Sequence, residues 1–237
     1  MIIYGKQLFL HILERRKESI KRIFLSKEID KKLFKQVSNL GLKIERIDNQ
    51  KAQALAHGGN HQGFLAEVDD FVFAKFESVK RGDFVAVLWG VSDVGNIGAI
   101  ARSAWAFGVS GLVVVAKGVN AEGVLRTSSG AAFELPICVC EDGGSALNEL
   151  RQQGFTLCVA DAKGVSALEV CEKNDKFGEK VALVMGSEGQ GVPQKIVQKC
   201  DHVLSVKMAR EFDSLNVSVA FGILCYELSK INQKGKK

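Results

Sequence analysis

Three short segments carry most of the side chains in this chain that could do chemistry. NIGAIAR spans Asn96 to Arg102, MGSEGQG spans Met185 to Gly191, and DSLNVSV spans Asp213 to Val219. Each sets amides, hydroxyls or ions at the edge of a strongly apolar run, where burial without a partner costs free energy and a ligand could satisfy them. Asn96 stands where a helix N-cap belongs. Arg102 lies among Ile97, Ala99, Ile100, Ala101, Ala104, Trp105 and Phe107, so its guanidinium needs water or an anion such as a phosphate or carboxylate. Glu188 offers a carboxylate to an amine or hydroxyl, within glycines that let a ligand approach the backbone. Ser214 is expected at an N-cap, with Asn216 and Ser218 inside the helix it opens.

Hydropathy patterning predicts the elements that position these groups. Strands are expected at 84–90, 112–115, 133–139, 156–162, 181–186 and 202–208, and helices at 97–107, 145–153, 193–199 and 214–231. Strand, helix and strand in this order predict an α/β fold, a mostly parallel sheet covered on both faces by helices. The second segment follows directly on an apolar strand, which suits a ligand site at the carboxyl ends of parallel strands. Gly90, Gly95 and Gly98 match neither the dinucleotide fingerprint nor a P-loop.

Ahead of this region the pattern is shorter. An amphipathic helix turning basic is expected over 8–22, a strand at 20–25, and a helix over 29–40 with Ile29, Leu33, Val37 and Leu40 on one stripe and Gly41 ending it. Strands at 42–47 and 63–68 complete a small α/β domain over residues 1–70, followed by a linker at 71–82 and a second domain at 83–237. His57 and His61, in the glycine-rich HGGNHQG, read as turn chemistry or an RNA contact rather than a metal site.

Charge divides along the same line. Residues 1–50 hold 12 Lys and Arg against 6 Asp and Glu, and the remaining 20 against 21 leave the rest near neutral. A basic module beside a neutral one points to a polyanion held by the first and chemistry done by the second. Six cysteines, with no CxxC pair and no histidine at zinc spacing, read as reduced thiols. No apolar run reaches the length of a membrane helix and the first charges follow the first apolar stretch, so a cytoplasmic protein is expected.

Taken together, the three segments resemble the three motifs of the SpoU (TrmH-like) branch of the SPOUT RNA 2′-O-ribose methyltransferases: NIGAIAR the first, VMGSEGQGVP the second, SLNVSVAFGILCYE the third. MIIYGKQLFLHILE, HQG at 61–63 and SSGAAFELPI at 128–137 are similar to the subgroup that modifies a guanosine of 23S rRNA. The resemblance implies a small N-terminal substrate-binding domain, a C-terminal trefoil knot that binds S-adenosylmethionine, and a site completed in a homodimer. It implies that Gly186, Val206, Met208 and Leu215 line the cofactor and that Asn96, Arg102, Glu188, Ser214 and Asn216 take catalytic or substrate-positioning places. The residues themselves suggest no metal site. Lys207 and Arg210 replace the family's usual proline and glycine around Met208, and Val94-Gly95 departs from its first motif. Alternatives to a 23S rRNA enzyme are a tRNA 2′-O-ribose methyltransferase and an RNA-binding assembly factor weakened by the altered loop.

Overall fold

The computed structural model describes residues 1–173, 178–210 and 214–234, without the side chains of 171–173 and 231–234. Asp213 and the Cys171 side chain lie outside the described residues.

The first sheet is built from β1 (Ile2–Tyr4), β2 (Ile20–Leu25), β3 (Ile44–Arg46) and β4 (Phe64–Val68), in the order β1-β4-β2-β3. Only β2 and β3 run parallel; β4 is antiparallel to both of its neighbours. Helix α1 (Lys6–Arg15) packs Leu8, Phe9, Ile12 and Leu13 onto the sheet. It stops at Arg15 rather than running into 22, because a one-turn 3-10 helix at Lys17–Ser19 leads straight into β2. Helix α2 (Lys31–Ser38) buries Leu33 and Val37 and is capped by Asp30, whose carboxylate accepts the Leu33 amide at 2.9 Å. Helix α3 (Asn49–Leu55), absent from the periodicity reading, is capped the same way by Asp48.

Residues 71–82 are tied to the second half of the chain. The Ala74 amide donates to Ile137 O at 2.7 Å, and Phe76–Val79 forms a short helix, α4, that buries Val79.

The second sheet has six strands, all parallel: β5 (Phe84–Trp89), β6 (Gly111–Val115), β7 (Ile137–Cys140), β8 (Phe155–Ser166), β9 (Lys180–Gly186) and β10 (His202–Ser205). Their order is β10-β8-β9-β5-β6-β7. Alternation sends Ala86, Leu88, Leu112, Val114, Leu183 and Met185 to one face, where α5 (Val94–Ala106), α6 (Ala121–Thr127), α8 (Ala167–Lys173) and α10 (Val217–Lys234) pack. Val85, Val87, Val113, Val159 and Val184 face the other way, against α7 (Gly143–Gln152) and α9 (Gln194–Val197). The expected parallel sheet with both faces covered is therefore present.

Three strand boundaries depart from the sequence reading. β7 begins at Ile137, not Phe133, because Ala131–Phe133 is a 3-10 turn and Pro136 has no amide to give to a ladder. β8 runs on to Ser166. β10 pairs with it in two pieces, Val203 with Val159 and then Leu204 with Val165, so residues 160–164 bulge from the ladder. β10 ends at Ser205, not Met208.

The two sheets meet along α1. His11 Nε2 lies 3.1 Å from Glu134 Oε1, the Arg15 guanidinium stacks over Trp105 at 4.7 Å, and Arg126 hydrogen-bonds the Tyr4 hydroxyl.

Candidate functional site

The carboxyl ends of β5, β8 and β9 define one edge of the second sheet, and the site gathers there. At the end of β9 the chain turns sharply: the Ser187 amide donates to Trp89 O at 3.1 Å and the Gly191 amide returns to Ser187 O at 2.9 Å. This closes a tight loop with Glu188 near its tip. Gly191 holds φ 62°, a left-handed conformation that glycine adopts without steric cost. Gly186 is required for another reason: a Cβ there would stand 2.5 Å from the Val192 amide nitrogen.

Glu188 joins the three segments. Its Oε1 accepts the Asn216 amide nitrogen at 2.6 Å, the Val217 backbone amide at 3.3 Å and the Asn96 amide nitrogen at 3.4 Å. Asn216 Nδ2 also donates to Asn96 Oδ1 at 3.0 Å. Three residues separated by 92 and 28 positions thus form one triangle. The carboxylate sits at the N-terminus of the 18-residue α10, where the unpaired amides and the helix dipole favour negative charge.

Local capping explains why Asn96 is available. Asp93 is the N-cap of α5 and accepts the Asn96 backbone amide at 2.7 Å, so Asn96 lies inside the first turn with its side chain free to face Glu188. The expected capping role of Asn96 is corrected accordingly. A second correction concerns α10: Asn216, not Ser214, makes the first capping contacts, accepting the Ser218 amide at 2.9 Å and the Ser218 hydroxyl at 2.6 Å. Ser214 is an exposed loop residue.

Beside the triangle lies a cavity of about 220 Å³. Gly186, Val206, Met208 and Leu215 all line it, as do Glu188 and Ser214. The walls are mainly apolar, which suits an aromatic base and an aliphatic chain, while backbone groups at the loop ends remain for polar atoms. Sequence reasoning missed the bulge of β8, which brings Ala160, Asp161 and Ala162 to the cavity and adds a second carboxylate to Glu188. A signal for it exists in the sequence: an apolar strand passing into Asp-Ala-Lys-Gly at its carboxyl end. Gly164 makes the bulge possible, since a Cβ there would lie 2.6 Å from the Leu204 carbonyl carbon.

Arg102 is not part of the triangle. Six residues along α5 from Asn96, about 9 Å of helix, it is exposed and makes no hydrogen bond or ion pair with the described residues. In the single chain its guanidinium stands at the surface, open to a partner. Lys207 and Arg210 are likewise exposed, on the loop beyond β10. In the HGGNHQG turn, His61 is buried and its Nδ1 accepts the Gly63 amide at 3.1 Å, which is the turn chemistry expected there. Burial pushes the Cys200 thiol up to about 11 and the Cys225 thiol to about 12, which keeps both protonated and unreactive.

Residues 83–226 match the family model described as SpoU rRNA Methylase family, and residues 2–73 match the one described as RNA 2′-O ribose methyltransferase substrate binding. The chain is 31% identical to the 23S rRNA (guanosine-2′-O-)-methyltransferase RlmB of Yersinia pestis, over 100% of this chain and 98% of that one. It is 36% identical to an uncharacterised tRNA/rRNA methyltransferase of Archaeoglobus fulgidus, over 70% of this chain and 75% of that one. Among solved structures, the SpoU methyltransferase AviRb of Streptomyces viridochromogenes in complex with AdoMet superimposes with a TM-score of 0.74 at 21% identity, over 98% of this chain and 90% of that one.

Proposed function

The chain belongs to the SpoU rRNA methylase family, and we propose that it transfers a methyl group from S-adenosylmethionine to the ribose 2′-hydroxyl of a guanosine in 23S rRNA. The observation that carries this reading is the Asn96–Glu188–Asn216 triangle at the mouth of an apolar cavity lined by Gly186, Val206, Met208 and Leu215. S-adenosylmethionine would be held in that cavity, where its sulfonium would supply an electrophilic methyl group.

The chain's own task is positioning, which for an in-line displacement accounts for most of the catalytic effect. Glu188 fixes both asparagine amides, and Asn216 is held at both ends, since its oxygen caps α10 while its nitrogen reaches Glu188 and Asn96. Such a network orients a ribose hydroxyl without having to reorganise as charge develops. Ser214, which lines the cavity, would bind substrate or cofactor, and its position supports that role. Arg102 does not serve as the base, because a neutral guanidinium is too costly with a pKa above about 12. Its assigned role is to hold the adjacent phosphate and stabilise the developing alkoxide, with the proton lost to water.

The exposure of Arg102 fits a site completed by a second copy of the chain. On α10, Val219, Ile223 and Tyr226 form a stripe at helical spacing, with Val219 50% and Tyr226 46% exposed. A homodimer that covers this stripe would bring an arginine from one protomer toward the triangle of its partner. The return of the chain from edge strand β10 to α10, against α5, is where the trefoil knot of the family would lie. The division proposed is an RNA-binding domain at 1–70, a linker at 71–82 and a methyltransferase domain at 83–237. No described helix is long and apolar enough to cross a membrane, and a cytoplasmic location suits a ribosomal RNA substrate.

The test supplies the full-length protein with methyl-labelled S-adenosylmethionine, 23S rRNA fragments and tRNA, and maps the product. A 2′-O-methylguanosine in 23S rRNA is expected. Methylation of tRNA alone would replace the substrate, and cofactor binding without transfer to either RNA would favour the assembly-factor reading.

A further inference from the structure

The basic first domain carries a surface that the transfer chemistry does not use. Between α2, the edge strand β3 and the turn ahead of α2 lies an open cavity of about 470 Å³, lined by Glu28, Ile29, Lys31, Phe34, Lys35 and Arg46. Helix α2 buries Leu33 and Val37, whereas Phe34 is turned outward and is 41% exposed. The exposed part of the ring forgoes some of the free energy that full burial of an aromatic side chain would give, and leaves an aromatic face open beside the cavity.

The groups around the ring are cationic and organised. The Arg46 guanidinium carbon lies 5.8 Å from the Phe34 ring centroid, and Arg46 Nη1 donates to Lys27 O at 2.7 Å, which fixes the side chain beside the ring. Lys31 precedes Phe34 by one helical turn and Lys35 follows it, both exposed. The neighbouring carboxylates are engaged elsewhere. Asp30 caps α2, and Glu45 pairs with Lys51 at 2.5 Å, whose hydrogen bond holds the Glu45 carboxyl below its ordinary value. Among the described residues lining the cavity, Glu28 is the one carboxylate against Lys31, Lys35 and Arg46.

We propose that Phe34 and Arg46 form a stacking site for an unpaired RNA base, with Lys31 and Lys35 taking the flanking phosphates. An exposed aromatic face, a planar guanidinium and point charges lining the same cavity are what a single-stranded nucleotide offers partners for, a base to stack and a phosphate on each side. An apolar peptide would have to desolvate the same lysines without compensation. The site would grip a loop or unpaired segment of the RNA whose ribose is methylated by the second domain, so it rests on the function proposed above.

The experiment measures binding of fluorescein-labelled 12-nucleotide single-stranded RNA to the full-length protein by anisotropy, across a salt series, with circular dichroism as the check on folding. Phe34→Ala and Phe34→Leu are expected to weaken binding by about 5- to 100-fold, with Phe34→Tyr close to wild type. Lys31→Ala combined with Lys35→Ala should lower the log–log salt slope by about 1.4. In methyl transfer to 23S rRNA fragments the Phe34 variants should raise KM for RNA and leave kcat unchanged. Full affinity in Phe34→Leu overturns stacking. If the wild type binds and methylates RNA and all these variants match it, the stacking site is wrong and the function stands. A wild type that neither binds nor methylates RNA removes the function and this site together.

Discussion

Removing the Glu188 carboxylate should uncouple the three segments, and a double-mutant cycle measures by how much. Glu188 Oε1 receives Asn216 Nδ2 at 2.6 Å, the Val217 amide at 3.3 Å and Asn96 Nδ2 at 3.4 Å. A charge-assisted hydrogen bond contributes about 1.5–3 kcal/mol when buried, and exposure of this loop reduces the short one to about 1 kcal/mol. The carboxylate at the start of α10 adds about 0.3–1 kcal/mol. Glu188→Ala should therefore cost about 1–2 kcal/mol, a fall of about 2–8 °C in Tm for a chain of this size. Glu188→Gln keeps an acceptor for Asn216 without the charge and should recover about half of that. Thermal or urea denaturation of Glu188→Ala, Asn216→Ala and the double variant should give a coupling of about 0.5–1.5 kcal/mol, since the two residues touch. Transfer should fall by about 100-fold in kcat in either single variant, because the amides proposed to orient the ribose are released. A coupling indistinguishable from zero, or a double variant that loses activity as the product of the two single losses, would refute the view that the triangle acts as a unit.

Four further outcomes are expected. Gly186→Ala forces a Cβ to within 2.5 Å of the Val192 nitrogen and, at an overpacking cost of about 1–3 kcal/mol, should weaken S-adenosylmethionine binding by about 5- to 100-fold in calorimetry while the sheet stays folded. Tyr226→Asp or Val219→Asp, on the exposed stripe of α10, should convert a dimer to monomers in analytical ultracentrifugation and abolish transfer; an active monomer would contradict the shared site. Arg102→Lys keeps the charge but loses the guanidinium fork and should lose most activity, whereas near-full activity would show that any cation suffices. The Cys225 thiol is raised by burial from 9.0 to about 12, so the folded state holds its proton where the unfolded chain releases it. Its contribution to stability is complete below about pH 9 and lost as pH climbs toward about 12. Denaturation midpoints should fall over that window, and less so in Cys225→Ala.

Much of this protein is determined by sequence alone. Apolar runs ending in glycine and polar residues mark β5 and β9 to within a residue, and the parallel sheet follows from their alternation with helices, because hydrophobic period is a local property. The polar groups within NIGAIAR, MGSEGQG and DSLNVSV mark a candidate site for the same reason: amides and a carboxylate at the edges of apolar elements need partners. What local sequence leaves open is which neighbour satisfies each group. Asn96 and Ser214 both have the residue type of a cap, yet Asp93 and Asn216 take those places, since a cap is decided by where the helix starts, and that depends on packing. The bulge that carries Asp161 into the cavity exists only because β10 pairs with both halves of β8. The meeting of Asn96, Glu188 and Asn216 is likewise a product of strand order, with α10 brought back against α5 beside the end of β9. Residue types and their periods are legible one segment at a time; the site is a set of contacts among segments far apart in sequence, and only the folded chain brings them within hydrogen-bonding distance.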